Sequence, residues 1–190
     1  PVELSGNWEY LNTVSWNSAG LIAQTQTRDQ KQIDIHSIDP GTGKATVIFS
    51  DTDEAWVELV SGVPALQQDG TVVTCVDRDG ARRLLVNGSA VTPTTMQVRS
   101  VVSTGDSIMF MANDISTPWE LDAWAYRNGS LEQITHSHGV ASVSGSRSCY
   151  VSRISTLDTE RAQFTVHTAT AAHNIASLAE ASLVQPNVRI

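Results

Sequence analysis

The chain has almost no cysteine, no excess of cations, no apolar run of membrane length and no recognisable nucleophile, and each absence closes off a class of function. Two cysteines in 190 residues are too few for the cysteine-dense framework that stabilises small secreted domains. Cys75 and Cys149 each lie inside an apolar, strand-like run, Val72 to Val76 and Ser148 to Val151. Both are expected to be free, buried thiols, as suits a soluble cytoplasmic protein. Lys and Arg number 12 against 20 Asp and Glu, a formal net charge of -8. Nucleic acid is therefore not an expected partner, because that binding is driven by clustered cations. No stretch approaches the roughly 20 apolar residues that cross a bilayer, and no basic region leads into a hydrophobic one at the N-terminus, so no membrane segment is expected.

Catalytic and metal-binding patterns are equally thin. A hydrolase elbow of the Gly-x-Ser-x-Gly type needs a strand, a strained turn and a helix in succession. Trp16-Asn17-Ser18-Ala19-Gly20 reproduces half of it, without the first Gly and without a following helix, and reads as a hairpin turn. His136-Ser137-His138 puts two imidazoles on one face of an extended segment, but no third ligand accompanies them. Asp77, Asp79 and the Asp51-Thr52-Asp53-Glu54 cluster offer oxygen ligands without the spacing of a calcium loop, and turn chemistry explains them. Arg28, Arg78, Arg82 and Arg83 are scattered among acids and read as solvated strand ends. Catalytic residues, metal site and cofactor are all expected to be absent from this chain, and no substrate-binding residue can be named.

What the chain does have is a repeat. Four times it passes from a Gly or Asp turn into a β-rich stretch, at Asn17-Ser18-Ala19-Gly20, Gln68-Asp69-Gly70, Thr104-Gly105-Asp106 and Ser144-Gly145-Ser146. The spacing of about 35 to 50 residues is that of propeller blades. Gln32 to Ile38 alternates with period two, the mark of a half-buried strand. Asp39-Pro40-Gly41-Thr42-Gly43-Lys44 is a turn in which Pro sets one φ and Gly supplies a positive one. Asp79-Gly80, Asn87-Gly88 and Asn128-Gly129 sit between apolar runs, where the tight hairpin turn demands positive φ. Asn87-Gly88-Ser89 and Asn128-Gly129-Ser130 also satisfy the N-glycosylation rule, though the turn reading needs no secretion. The five tryptophans, Trp8, Trp16, Trp56, Trp119 and Trp124, mostly adjoin strand patterns and are expected to pack between blades rather than to bind glycans. Ile175, Leu178, Ala179, Ser182 and Leu183 fit a short C-terminal helix over residues 174 to 184, stopped by Pro186.

The predicted fold is thus all-β, a partial β-propeller of about four blade-like repeats of antiparallel strands with a short C-terminal helix. The first residue is Pro1, and Asn187 to Ile190 reads as entry into another strand or linker. Both ends are therefore expected to be cut, leaving residues 1 to 190 as a fragment of a propeller domain. Complete propellers close about four to eight blades. An opened ring exposes strand edges and blade faces, so a homodimer is an expected state of the fragment.

The order of its small motifs resembles the dipeptidyl peptidase IV family of serine peptidases, in the prolyl oligopeptidase superfamily. Trp16 and Ser18-Ala19-Gly20 are followed by Arg28-Asp29-Gln30, Ile33-Asp34-Ile35, the turn from Asp39 to Gly43, Thr46-Val47-Ile48 and Trp56-Val57-Glu58. Then come Asp69-Gly70, Asp77-Arg78-Asp79-Gly80, Tyr126-Arg127-Asn128-Gly129, Gln133-Ile134-Thr135 and Gly139. Ser152 to Thr159 and Leu178 to Val188 are similar to the family's last blade and the short helix before its hydrolase domain. Val76-Asp77 stands where the family has Ser-Glu, and Arg83-Leu84-Leu85 where it has His-Leu-Tyr, which marks a distant member.

The resemblance implies that this chain is the C-terminal part of the N-terminal propeller, inactive alone. The propeller would cap an α/β-hydrolase domain, absent here, that carries Ser, Asp and His in that order, and would restrict access to small or unstructured peptides. The parent protein would release N-terminal dipeptides after Pro or Ala. Its partners would be its own hydrolase domain and peptide substrates. A propeller serving only as a binding scaffold is the alternative.

Overall fold

The computed structural model describes residues 1–4, 6, 8–180 and 183–184. It divides into two compact units, Pro1–Thr94 and Thr95–Ile190, and each holds two four-stranded antiparallel sheets. In the first unit one sheet runs β1 (Tyr10–Asn17), β2 (Gly20–Gln26), β3 (Gln32–Ile38) and β4 (Ala45–Thr52). The other runs β5 (Ala65–Leu66), β6 (Val72–Arg78), β7 (Ala81–Val86) and β8 (Ser89–Ala90). In the second unit β9 (Met96–Thr104), β10 (Ile108–Asp114), β11 (Asp122–Arg127) and β12 (Ser130–Gln133) form one sheet. β13 (Val140–Ser146), β14 (Cys149–Ser155), β15 (Gln163–Thr168) and β16 (Ala172–Ile175) form the other. Every sheet pairs its strands in chain order, the up-and-down meander of a propeller blade.

The repeat read from the sequence is the repeat in the structure. Three of its four turns are the connection between the first and second strands of successive sheets. In the fourth sheet that turn falls at Arg147 and Ser148, and Ser144 to Ser146 close β13 instead. Asn87 and Asn128 have φ of 49° and 50°, with Gly88 and Gly129 at 77° and 81°, so both pairs form the predicted left-handed corners.

Two expectations are corrected. The alternation in Gln32–Ile38 predicted one wet face, yet both faces of β3 are covered: Ile33 and Ile35 are buried on one side, Asp34 and His36 on the other. β2 and β10 are likewise buried almost throughout. The helix expected over residues 174 to 184 does not form among the described residues. Residues 172–175 are β16, and 176–180 follow without helical structure. A helical stripe needs a core to face, and Leu178 is 98% exposed. Residues 181, 182 and 185–190, with the expected Pro186 stop and the run Asn187 to Ile190, lie outside the described residues.

In the second unit the meander sorts its connections by length, with short turns at one end of each sheet and longer loops at the other. Turns from first to second and from third to fourth strand lie at one end of each sheet, here called the tight-turn end. Second-to-third connections, and those between sheets, lie at the other, long-loop end. In the second unit a parallel bridge joins Leu121 to Val140, with Leu121 N–H donating to Gly139 O and Ala141 N–H to Leu121 O, both at 2.8 Å. That bridge ties the long-loop ends of its two sheets together. Met111, Ala123 and Ala141 form the buried core between them, with Val102, Leu121, Ile134, Val143 and Ile154 packed around.

The hairpin corners yield a graded expectation. Replacing Asn128 by Ala forces a β-carbon into the left-handed region at about 1–2 kcal/mol. Asn87→Ala costs more, because Asn87 Oδ1 also accepts from Val72 N–H at 2.8 Å, a bond worth about 1 kcal/mol. Urea unfolding of the two variants checks the order, and an Asn128→Ala chain as unstable as Asn87→Ala would contradict it.

Candidate functional site

Hydroxyl and imidazole groups meet twice inside the sheets. Thr25 Oγ1 and His36 Nε2 share a hydrogen bond at 2.9 Å, with Trp8 edge-on to the imidazole at 5.8 Å. Ser152 Oγ and His167 Nε2 do the same at 2.9 Å, with Tyr150 stacked on the ring at 4.4 Å. Both pairs sit diagonally across the second and third strands of their sheets. Thr25, His36 and Ser152 are buried. A nucleophile must reach its substrate, so these pairs read as packing devices. His36 Nδ1 is buried without a partner among the described residues, and burial lowers the His36 pKa below its ordinary value.

Acids are spent on structure. Asp122 is buried and its carboxylate accepts from Thr135 Oγ1 at 2.6 Å, Ser137 N–H at 2.9 Å and Gln133 Nε2 at 3.2 Å. Thr135 Oγ1 in turn accepts from Ala123 N–H at 2.9 Å. Thr92 Oγ1 accepts from Leu84 N–H at 3.0 Å in the same way. Each threonine satisfies a third-strand amide that the short fourth strand has left behind. Nothing in the local sequence around Asp122 signalled this network.

The predicted candidates scatter. Asp77 holds Arg82 through two bonds of 2.9 Å, Asp79 meets Arg83 at 3.4 Å, and Asp51 meets Arg78 at 3.6 Å. Asp53 Oδ1 accepts from the amides of Ala55 and Trp56. Arg78 closes β6 and is exposed, as is Arg28, in keeping with solvated ends, whereas Arg82 and Arg83 are half-buried in ion pairs. His136 and His138 are both exposed, with His138 Nδ1 3.8 Å from Glu120. Among the described residues no three His, Cys, Asp or Glu side chains gather where a metal could be held. Trp16-Asn17-Ser18-Ala19-Gly20 is the β1–β2 hairpin, closed by Ala19 N–H on Asn17 Oδ1 at 2.8 Å.

The cysteines and tryptophans depart from expectation. Cys75 is buried, but Cys149 is exposed and both are free. Burial pushes the Cys75 thiol up to about 12. Trp16 is 72% exposed, and Trp56 and Trp119 are also exposed, so only Trp8 and Trp124 are partly packed. Strand-adjacent sequence did not distinguish a strand end facing water from one facing a neighbouring sheet.

In the second unit a cavity of about 410 Å³ opens at the tight-turn end, lined by Arg127, Glu132, Arg147 and Ser107 among others. Arg147 crosses its rim to Glu132 at 2.7 Å, linking the turn of one sheet to the edge strand of the other. Among the described residues no helix is long and apolar enough to cross a membrane.

Comparison with known proteins follows the same architecture. The family described as Dipeptidyl peptidase IV (DPP IV) N-terminal region matches residues 1–161. Similar solved structures include Porphyromonas gingivalis dipeptidyl peptidase 4, with a TM-score of 0.72, 16% identity, and coverage of 88% of this chain and 26% of that one. A puromycin-hydrolyzing peptidase from Mycobacterium tuberculosis has a TM-score of 0.63 and 11% identity over 94% of this chain and 31% of its own. Oligopeptidase B from Leishmania major has a TM-score of 0.57 and 9% identity over 85% and 26%. The chain spans about a quarter to a third of the length of these structures. No curated protein matches the chain.

The two thiols should separate cleanly. Cys149 reacts with a thiol reagent in the folded chain, and Cys75 only after unfolding; two fast equivalents under native conditions would contradict the burial of Cys75. His36 gives a pH dependence with a definite sign. The folded chain holds it neutral, while the unfolded chain takes up a proton near the ordinary value of 6.5. Its contribution is therefore complete above that pH and is lost as pH falls toward the lowered folded value. Urea midpoints measured between about pH 8 and pH 5.5 should fall on acidification, and less so in His36→Gln. An equal acid loss in both proteins would contradict the assignment.

Proposed function

The chain belongs to the dipeptidyl peptidase IV N-terminal region family, and from that premise we propose that it is the non-catalytic propeller portion of a serine exopeptidase. The full-length protein would carry the α/β-hydrolase domain, and the propeller would admit only small or unstructured peptides to it. Its substrates would be peptides with Pro or Ala at the second position, from which it releases the N-terminal dipeptide. In such a reaction the serine hydroxyl passes its proton to histidine and attacks the carbonyl, histidine gives that proton to the departing amine as the peptide bond breaks, and water then hydrolyses the ester of the acyl-enzyme to free the dipeptide. The two unbridged thiols, one of them exposed, suit a reducing compartment such as the cytoplasm.

The observation that carries this reading is the family match across residues 1–161, on a chain built of four consecutive meanders. The polar pairs described above are consistent with it: Thr25 with His36, Ser152 with His167 and Asp122 with Thr135 bond between strands of their own sheets and their surroundings. The hydrolytic chemistry is then the task of another domain.

The test is turnover of a chromogenic Xaa-Pro substrate by the full-length protein and by residues 1–190, each with and without a serine-directed phosphonate. Phosphonate-sensitive turnover by the full-length protein alone is expected. An inactive full-length protein would favour a propeller used only as a scaffold, and turnover by residues 1–190 would place the nucleophile in this chain.

A further inference from the structure

The tripeptide Asn-Gly-Ser occurs twice, at residues 87–89 and 128–130. The two copies occupy the same place in their sheets, the corner between the third and fourth strands. Their backbones match: Asn87 and Asn128 have φ of 49° and 50°, Gly88 and Gly129 of 77° and 81°. All six residues are exposed.

The two carboxamides differ. Asn87 Oδ1 accepts from Val72 N–H at 2.8 Å, and Asn87 N–H donates to Val72 O at 2.8 Å. The Asn128 carboxamide has no partner among the described residues. Register explains the contrast. β6 begins at Val72, one step beyond the Val73–Val86 pair, so its first amide lies opposite Asn87. β10 begins only at Ile108, which pairs with Tyr126. Continuing that register puts Asp106 opposite Asn128, inside the turn that precedes the strand. No ladder amide is left to hold the Asn128 side chain.

An unheld asparagine carboxamide before glycine is a reactive group. The glycine nitrogen, with no Cβ beside it to crowd the approach, attacks the asparagine Cγ. The carboxamide nitrogen leaves with the proton of that amide as ammonia, and a five-membered imide joins the two residues. Water then opens the imide at one carbonyl or the other, giving aspartate or isoaspartate, the second with an extra methylene in the main chain. We propose that Asn128 is a site of this self-modification, converted to aspartate and isoaspartate in the folded protein, while Asn87 is held back by its bond to Val72.

Whatever opening of the corner ring closure requires is common to both copies, because their φ angles match. The carboxamide bond therefore decides the order. The other exposed asparagines among the described residues are Asn17 and Asn174, which precede Ser18 and Ile175 rather than glycine. Both are bonded, Asn17 to Ala19 N–H and Leu66 O, Asn174 to Thr165 Oγ1. The product would fall at a polar rim. Arg127 and Ser130, on either side of the corner, line the 410 Å³ cavity together with Glu132 and Arg147. Aspartate adds a negative charge next to Arg127, and isoaspartate lengthens a corner that the Arg127–Ser130 pair closes. β12 has only four residues, so few pairs resist that change.

The test ages the folded full-length protein in mildly alkaline buffer and maps its peptides by mass spectrometry, with fragmentation that separates isoaspartate from aspartate. Asn128 is expected to convert about fivefold faster than Asn87, a factor that corresponds to about 1 kcal/mol for the Asn87–Val72 bond. The two rates should converge in urea. Equal rates in the folded protein would overturn the proposal. A preference that survives in urea would do so too, because it would belong to the flanking sequence and not to the fold. An Asn128 that stays intact in the folded protein while the unfolded chain converts would also overturn it, as would a glycan on its carboxamide.

Discussion

Burial of the middle strands on two faces is the constraint on which the rest depends. In β2, β3 and β10 both pleat faces are covered, so the middle strands of these sheets have no wet face. Apolar residues fill one face of β3 and buried polar ones the other, which is why Thr25, Asp34 and His36 sit in the interior. Such groups are tolerated only when bonded, and the Thr25–His36 bond with the Trp8 edge is the local answer. The fourth sheet is different. In β14, Tyr150 and Ser152 are buried while Arg153 between them and the next turn is exposed, so that sheet is covered on one face only.

The sequence was legible wherever the backbone itself demanded a residue type. Asp79-Gly80, Asn87-Gly88 and Asn128-Gly129 all adopt positive φ, and few residues reach that region at low cost. The repeat spacing followed from the turns at Gly20, Gly70, Gly105 and Gly145, and the all-β class followed from the apolar runs between turns. Edge strands were harder to read. β5 and β8 contain two residues each, too few to show an alternation, and in β1 the apolar members of the alternating run Thr13 to Asn17, Val14 and Trp16, are exposed rather than buried. Period two in β3 was real but did not mean a wet face, because periodicity reports which side a residue points to and not what lies there.

The misread C-terminal segment shows the same limit. Ile175, Leu178 and Ala179 have helical spacing, yet Ile175 and Leu178 are exposed among the described residues, and Arg161 bonds Ala179 O and Ser177 instead. Site residues were least legible of all. Asp122, Thr135 and Thr92 act through contacts about 8 to 15 residues apart in the chain, and no local motif announces them. The exposed cysteine and tryptophans were likewise invisible in sequence, since Cys149 lies in a strand pattern as regular as that of Cys75.

The most direct measurement is an electron cryomicroscopy structure of the full-length protein. The account predicts that the four meanders stand as consecutive blades of one ring, that the open face of the fourth sheet, with Val151, Phe164 and Val166, is covered by a neighbouring blade, and that a separate α/β domain carries the nucleophilic serine. A full-length structure in which that face remains bare to solvent, with no hydrolase domain beside the ring, would contradict it.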